Sequence, residues 1–281
     1  MLKLTDLRKT FGSIIAVDHL TLEIRRGEVF GLLGPNGAGK TTTVNTAIGL
    51  LRPDAGTVEL DGQGSPERAA VRRRIGVAPQ EMAIYGDLSG EENVRFFARL
   101  QGLTGRTLRE RAAWALEFVG LTDRRRDPAK TYSGGMQRRL NLAVAIVHDP
   151  DLLLLDEPTV GVDPQSRNAI FDRIAALQQR GRTIVYTTHY MEEAQRLCDR
   201  VCIIDHGRVL ALDTVDALIA AHGGQSIVRA RTAAGETRIE TDDPVAELKR
   251  LQEAGPLEQF RLDRPDLEQV FLNLTGRHLR D

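Results

Sequence analysis

"EVFGLLGPNGAGKTTTVNTAIGLL" (Glu28–Leu51) runs from a short apolar segment through a glycine-rich loop into a helical pattern. That order reads as strand, loop, helix. The loop and the start of the helix are Gly34, Pro35, Asn36, Gly37, Ala38, Gly39, Lys40, Thr41 and Thr42, which fit G-x-x-x-x-G-K-[ST] in the setting that motif requires. Gly34, Gly37 and Gly39 let backbone amides curl around phosphate oxygens, and the helix N-terminus adds partial positive charge. Lys40 is expected to reach the β- and γ-phosphates of ATP, and the Thr41 hydroxyl to ligate Mg²⁺.

The flanking sequence places this loop in an α/β core. "DLLLLDE" (Asp151–Glu157) and "TIVYTTH" (Thr183–His189) are continuous apolar or β-branched runs, as expected of strands buried on both faces of a mostly parallel sheet. "VCIIDHGRVLAL" (Val201–Leu212) reads as strand, turn, strand. Up to about Gly27 the pattern alternates, which predicts an N-terminal antiparallel β subdomain. From about 81 to 132, "GEENVRFFARLQGL" and "RTLRERAAWALEFVGL" carry apolar residues at helical spacing and predict a helical insertion. After Gly223, "SIVRARTAAGETRIETD" predicts two strands around an Ala-Gly turn. A helix, a strand and a last helix "DLEQVFLNLTG" would complete a small α+β appendage. The expected division is 1–222 for a nucleotide-binding domain and 223–281 for the appendage.

Several side chains stand where such a sheet binds ligands, beyond the strand ends. Asp156 and Glu157 are adjacent carboxylates closing a buried strand, an arrangement that repels itself unless a cation or proton compensates. Asp156 is the expected metal partner, and Glu157 is placed to take the proton of an attacking water. His189 closes the next apolar run and is expected to contact a γ-phosphate. Gln80, in "GVAPQE", can ligate Mg²⁺ or hold water. Phe11 is either a core residue or a platform on which a base stacks. In "YSGGMQRRL" (Tyr132–Leu140), Ser133, Gly134 and Gly135 head a second amphipathic helix and form a second amide-rich anion site. A helical insertion separates the two loops, so a second subunit is the natural way to bring both onto one nucleotide.

Composition limits the alternatives. With 281 residues and 41% hydrophobic composition the chain can bury a large core, and a net charge of −1 gives no uniformly basic face for nucleic acid. Cys198 and Cys202 are the only cysteines, too few for a disulfide framework. The N-terminus lacks signal- and transit-peptide character, which predicts a cytoplasmic protein. The apolar runs are well short of the ~20 residues needed to span a bilayer.

Taken in order, Phe11, Gly34–Thr42, Gln80, Ser133-Gly134-Gly135, Leu152–Asp156 with Glu157, Gly161-Val162-Asp163 and His189 resemble the motifs of an ATP-binding cassette (ABC) ATPase, the motor subunit of ABC transporters. The resemblance covers roughly residues 2–221. It implies a cassette fold of the phosphate-loop NTPase class and ATP hydrolysis coupled to transport. It also implies a head-to-tail dimer, by default a homodimer, with ATP held between the Lys40 loop of one protomer and the Ser133 loop of the other. Phe11 then becomes the adenine-stacking residue. Gln80 links Mg²⁺ to the membrane-facing surface, and Asp163 belongs to a loop communicating between the two sites. "EMAIYGDLSGEENVRFF" (Glu81–Phe97) resembles the face that receives a membrane subunit. "YSGGMxRRL" and the C-terminal helix are similar to those of drug-resistance and other ABC-2-type exporters, which implies a separate ABC-2-type permease and a position on the inner face of the cell membrane. A cassette remodelling ribosomes or DNA, and a small-molecule kinase, are the competing classes. The former lacks a basic face here, and the latter leaves Ser133 without a role.

Overall fold

A computed structural model describes residues 1–232 and 235–276. Contacts divide the chain into a first unit, Met1–Leu212, and a second that starts at Asp213.

The first unit opens with β1 (Leu2–Phe11) and β2 (Ile14–Ile24), paired antiparallel with Leu2, Leu4, Leu20 and Leu22 turned inward. Then come β3 (Val29–Leu33) and α1 (Lys40–Ala47), after which β4 (Ala55–Leu60) returns to pair antiparallel with β1. The N-terminal sheet therefore has the order β2-β1-β4, and its third strand comes from beyond the phosphate-loop helix.

α2 (Ala69–Arg72) and β5 (Ile75–Ala78) follow, and then the helical insertion: α3 (Gly90–Leu100), α4 (Gly105–Phe118) and 3-10 turns at Thr122–Arg124 and Ala129–Thr131. A capping box starts α3, with Ser89 accepting from the Glu92 amide and Glu92 accepting from the Ser89 amide. The fully buried Asn93 fastens the preceding loop by accepting from the Tyr85 amide at 2.7 Å and donating to the Tyr85 carbonyl at 2.9 Å. α5 (Gly134–Ile146) leads to β6 (Leu152–Asp156), α6 (Pro164–Gln179), β7 (Thr183–Thr188), α7 (Met191–Leu197), β8 (Arg200–Asp205) and β9 (Arg208–Thr214).

The core sheet has the order β5-β6-β7-β3-β8-β9, parallel from β5 through β8. Every residue of β3, β6 and β7 is buried, which explains why their sequences are unbroken apolar runs and do not alternate. β9 joins by a two-residue turn, His206–Gly207, both at positive φ as tight hairpins require. One apolar cluster unites Leu2, Leu20 and Leu60 of the first sheet with Val44 and Ala47 of α1 and with Leu32, Leu154 and Val185 of the core sheet. Among the described residues no helix is long and apolar enough to cross a membrane.

The second unit contains α8 (Val215–His222), β10 (Ser226–Thr232), β11 (Gly235–Thr241), α9 (Pro244–Ala254), β12 (Leu257–Asp263) and α10 (Leu267–Thr275). Its antiparallel sheet has the order β11-β10-β12. Val228 and Ala230 are buried while Arg229 and Arg231 face out, the period-two pattern of a one-sided sheet. Ala234 of the expected Ala-Gly turn lies outside the described residues. The division falls ahead of α8, whereas the sequence pattern suggested the residue after it. The cause is tertiary: α8 packs on α10, and Asn273 Nδ2 donates to the His222 carbonyl at 2.8 Å.

Candidate active site

Parallel register brings four loops to one edge of the core sheet. Leu33 is level with Thr188, Asp156 with Thr187, and Ala78 with Leu155, so the segments after β3, β5, β6 and β7 emerge together. These carry the Gly34–Thr42 loop, Gln80, Asp156 with Glu157, and His189 respectively.

The phosphate loop is shaped by its glycines in different ways. A Cβ on Gly34 would stand 2.4 Å from the Ile204 carbonyl oxygen, so that position admits only close backbone packing. Gly37 has φ 82° and open space around it, which leaves its face free for a ligand. Pro35 and Ala38 are buried and Asn36 is exposed. Lys40 is 6% exposed, with Nζ donating to the carbonyls of Gly34 at 2.7 Å and Pro35 at 3.1 Å. Burial lowers its pKa, and the nearby charges of Glu157 and Asp156 oppose that shift. Thr41 is exposed and Thr42 half-buried at the head of α1.

Asp156 and Glu157 are both 7% exposed yet face different partners. Asp156 Oδ1 accepts from Thr187 Oγ1 at 2.5 Å. Burial raises its pKa; the Thr187 bond and Lys40 act against that rise, and Glu157 adds to it. Glu157 has φ 45°, a strained left-handed conformation for a side chain with a Cβ, held by its amide donating to Thr187 Oγ1 at 3.0 Å. That conformation turns its carboxylate to the neighbouring loops. Gln80 Nε2 donates to Oε2 at 3.1 Å, and His189 Nδ1 lies 3.2 Å from Oε1. Glu157, Gln80 and His189 thus form one hydrogen-bonded group, a unit that the three separate motifs did not disclose.

The structure places Phe11 apart from the core, 48% exposed, with Lys9 Nζ 5.6 Å from its ring centroid. Of the two readings open for that residue, burial in the core is excluded.

Ser133 and Gly134 are exposed at the head of α5. Ser133 Oγ accepts from the Met136 amide at 3.3 Å, an ordinary N-cap. Gly135 sits so close to α6 that a Cβ would be 2.4 Å from Ser166 Oγ. Asp163 caps α6, accepting from the Ser166 amide at 2.9 Å, and that bond lowers its pKa. Ser133 and Asp163 therefore belong to adjoining helix starts. Among the described residues Ser133 makes no hydrogen bond to the Lys40–Glu157 group.

Two contributors, Thr187 and Glu193, were not singled out in the sequence, and Tyr132 and Arg138 stood in the quoted YSGGMxRRL motif without a role of their own. Thr187 holds Asp156 and the Glu157 backbone; as a Thr in a β-branched strand it carries no signal of that role. Glu193, 2% exposed, accepts from Thr159 Oγ1 at 2.8 Å, Tyr186 Oη at 2.8 Å and Thr188 Oγ1 at 3.0 Å. It so ties the loop after Glu157 to the strand before His189. Tyr132 is buried, its hydroxyl donating to the Arg124 carbonyl at 2.6 Å, which explains an aromatic ahead of Ser133. Arg138 joins the loops that carry Gln80 and Val160.

The donor chemistry fits Mg²⁺. Asp156, the Thr41 hydroxyl and the Gln80 side-chain amide oxygen are hard oxygen donors, and Asp156 is a buried carboxylate with one hydroxyl partner and a raised pKa that a cation would relieve. No group of three or more His, Cys, Asp or Glu among the described residues could hold a metal by itself. Mg²⁺ commonly takes its remaining ligands from water and substrate phosphates, so one carboxylate suffices.

The ABC transporter family model matches residues 17–160. The linearmycin resistance ATP-binding protein LnrL of Bacillus subtilis is 40% identical across 100% of both chains. A Nod factor export ATP-binding protein I of Ralstonia nicotianae is 43% identical across 100% of this chain and 95% of its own. Among solved structures, an ATP-binding subunit of an ABC transporter matches at TM-score 0.72 and 30% identity, covering 79% of this chain and 93% of the other. A dimeric ATP-binding cassette in a post-hydrolysis state with ADP and Pi matches at TM-score 0.70 and 27% identity, covering 76% and 98%. The chain belongs to the ABC transporter family, as an ATPase subunit of its export class.

Proposed function

We propose that two copies of this ATPase close head to tail around ATP and drive export through a separate ABC-2-type permease, at which they sit on the inner face of the cell membrane. The observation that carries the reading is the Ser133 loop. It is an exposed helix start that makes no hydrogen bond to the phosphate loop of its own chain among the described residues, and the dimeric likeness supports a partner's nucleotide as its ligand.

In this reading the Gly34–Thr42 amides and Lys40 hold the phosphates, and Phe11, half exposed on the N-terminal sheet, stacks on the adenine. Lys40 leaves the Gly34 and Pro35 carbonyls for the β- and γ-phosphates. Asp156, Thr41 and Gln80 would hold Mg²⁺, which supplies charge neutralisation when bound. Glu157 accepts the proton of the attacking water, and Gln80 and His189 fix its carboxylate from either side. With Nδ1 turned to Glu157, His189 presents Nε2 to the γ-phosphate. Asp163 lies beside Ser133 at the same dimer face. Catalysis is then mostly positioning and electrostatics.

The direct test is steady-state ATP hydrolysis by Glu157→Gln. Loss of a general base costs about 10²–10⁴-fold in kcat, and the variant should accumulate as an ATP-dependent dimer by light scattering. Unimpaired turnover would remove Glu157 from this role. Affinity purification of the same variant from native membranes with MgATP should recover a polytopic permease; recovery of ribosomal or DNA-associated proteins alone would overturn the export assignment.

A further inference from the structure

α5, capped by Ser133, carries two adjacent arginines that reach in different directions. Arg139 donates to the carbonyls of Val119 at 2.9 Å and Gly120 at 3.2 Å, fixing α5 to the end of α4. Arg138 instead sends one guanidinium nitrogen to the Gln80 carbonyl at 2.5 Å and another to the Val160 carbonyl at 3.4 Å. Its planar fork thus spans the loops after β5 and β6, the two that carry Gln80 and Glu157. The half-buried guanidinium also lies within the field of Glu157, which opposes the effect of burial on its charge. Ser133 and Arg138 lie within the first two turns of one rigid helix, so a shift of the Ser133 loop displaces Arg138 with it.

We propose that Arg138 is a positioning residue that couples the two ATP sites of the dimer: nucleotide bound to Ser133 on the partner's side sets the placement of Gln80 and Glu157 in the chain's own site. This rests on the sandwich dimer proposed above. The direction of information follows from connectivity. Ser133 faces the partner's ATP, while Arg138 holds the carbonyls beside the catalytic carboxylate of its own protomer. Without the fork, each site would fire on its own occupancy.

The experiment is steady-state hydrolysis by the full-length chain across MgATP concentrations, comparing the unsubstituted protein with Arg138→Met and Arg138→Lys. Dimerisation is read in parallel by light scattering in a Glu157→Gln background. The unsubstituted chain should show a Hill coefficient of about two, falling toward about one in Arg138→Met. Its kcat should fall about tenfold with KM little changed, as expected when an interaction that orders the reacting geometry is removed. Arg138→Lys should lie between, because one ammonium cannot bridge two separated carbonyls; if Arg138→Met does not fold, the Lys variant alone decides. A Hill coefficient that stays unchanged in both variants overturns the proposal, as does a coefficient of one in the unsubstituted protein, and so does a lowered thermal midpoint with unaltered kinetics. If Glu157→Gln stays monomeric with ATP, the sandwich dimer itself fails. If it dimerises and Arg138→Met keeps its cooperativity, only the role of Arg138 fails.

Discussion

Gly39 shows how little freedom a single residue of the phosphate loop has. Its φ is 99°, and a Cβ there would stand 2.2 Å from the Ala16 carbonyl oxygen. Gly39→Ala should destabilise the fold by more than the ~1–2 kcal/mol of left-handed backbone strain alone, because rigid backbone sits where the methyl would go. Denaturant unfolding of the variant measures this, and ATP affinity should fall with it. Glu157 is the converse case, a non-glycine held at φ 45° by the Thr187 side chain and the strand beside it. The sequence announces Gly39 by its motif, but nothing in Glu157 or Thr187 announces strain. Cys198 and Cys202 are both buried, and burial pushes the Cys202 thiol up to about 12.

At the scale of elements, unbroken apolar runs marked β3, β6 and β7, and alternation marked β1, β2, β10 and β11. β4 carries little sequence signal because only Val58 and Leu60 of its six residues are buried, and its existence depends on the edge that β1 offers. The link between these strands is Asp54, just before β4, which accepts from Lys9 Nζ at 2.9 Å, from the Thr10 amide at 2.6 Å and from Thr10 Oγ1 at 2.7 Å. The Lys9 and Thr10 bonds hold its carboxyl at about 2. Since the folded value lies below the unfolded one of about 3.9, the contribution is present above about pH 4 and lost as pH falls to about 2. The stability advantage of the unsubstituted protein over Asp54→Asn should therefore vanish across that window, as denaturant unfolding at stepped pH would show. A constant difference would mean that the bonds do not depend on the charge.

At the scale of the whole molecule, the first unit exposes Leu50 (66%), Leu100 (64%), Tyr85 (51%) and Met82 (37%). Leu50 and Leu100 border a cavity of about 410 Å³ with Phe97 and Ala83. The insertion sequence resembles a membrane-subunit docking face, and on the export function proposed above this exposed apolar surface is where a permease is expected to dock. Leu100→Asp should abolish permease recovery from native membranes while leaving hydrolysis by the isolated chain within about twofold, in keeping with the small effect of surface substitutions remote from special features. By itself the sequence determined the phosphate loop, the strands that are buried on both faces, and the identity of the residues at their ends, because each rests on local spacing and on side-chain chemistry. It could not determine which loops share an edge, since that follows from a strand order in which β3 lies between β7 and β8. Only the tertiary structure joined Gln80, Glu157 and His189 into one group, turned Phe11 outward, gathered three hydroxyls on Glu193 and aimed adjacent arginines at different loops. Those relations arise from parallel register and helix packing between residues far apart in the chain, and no local pattern encodes them.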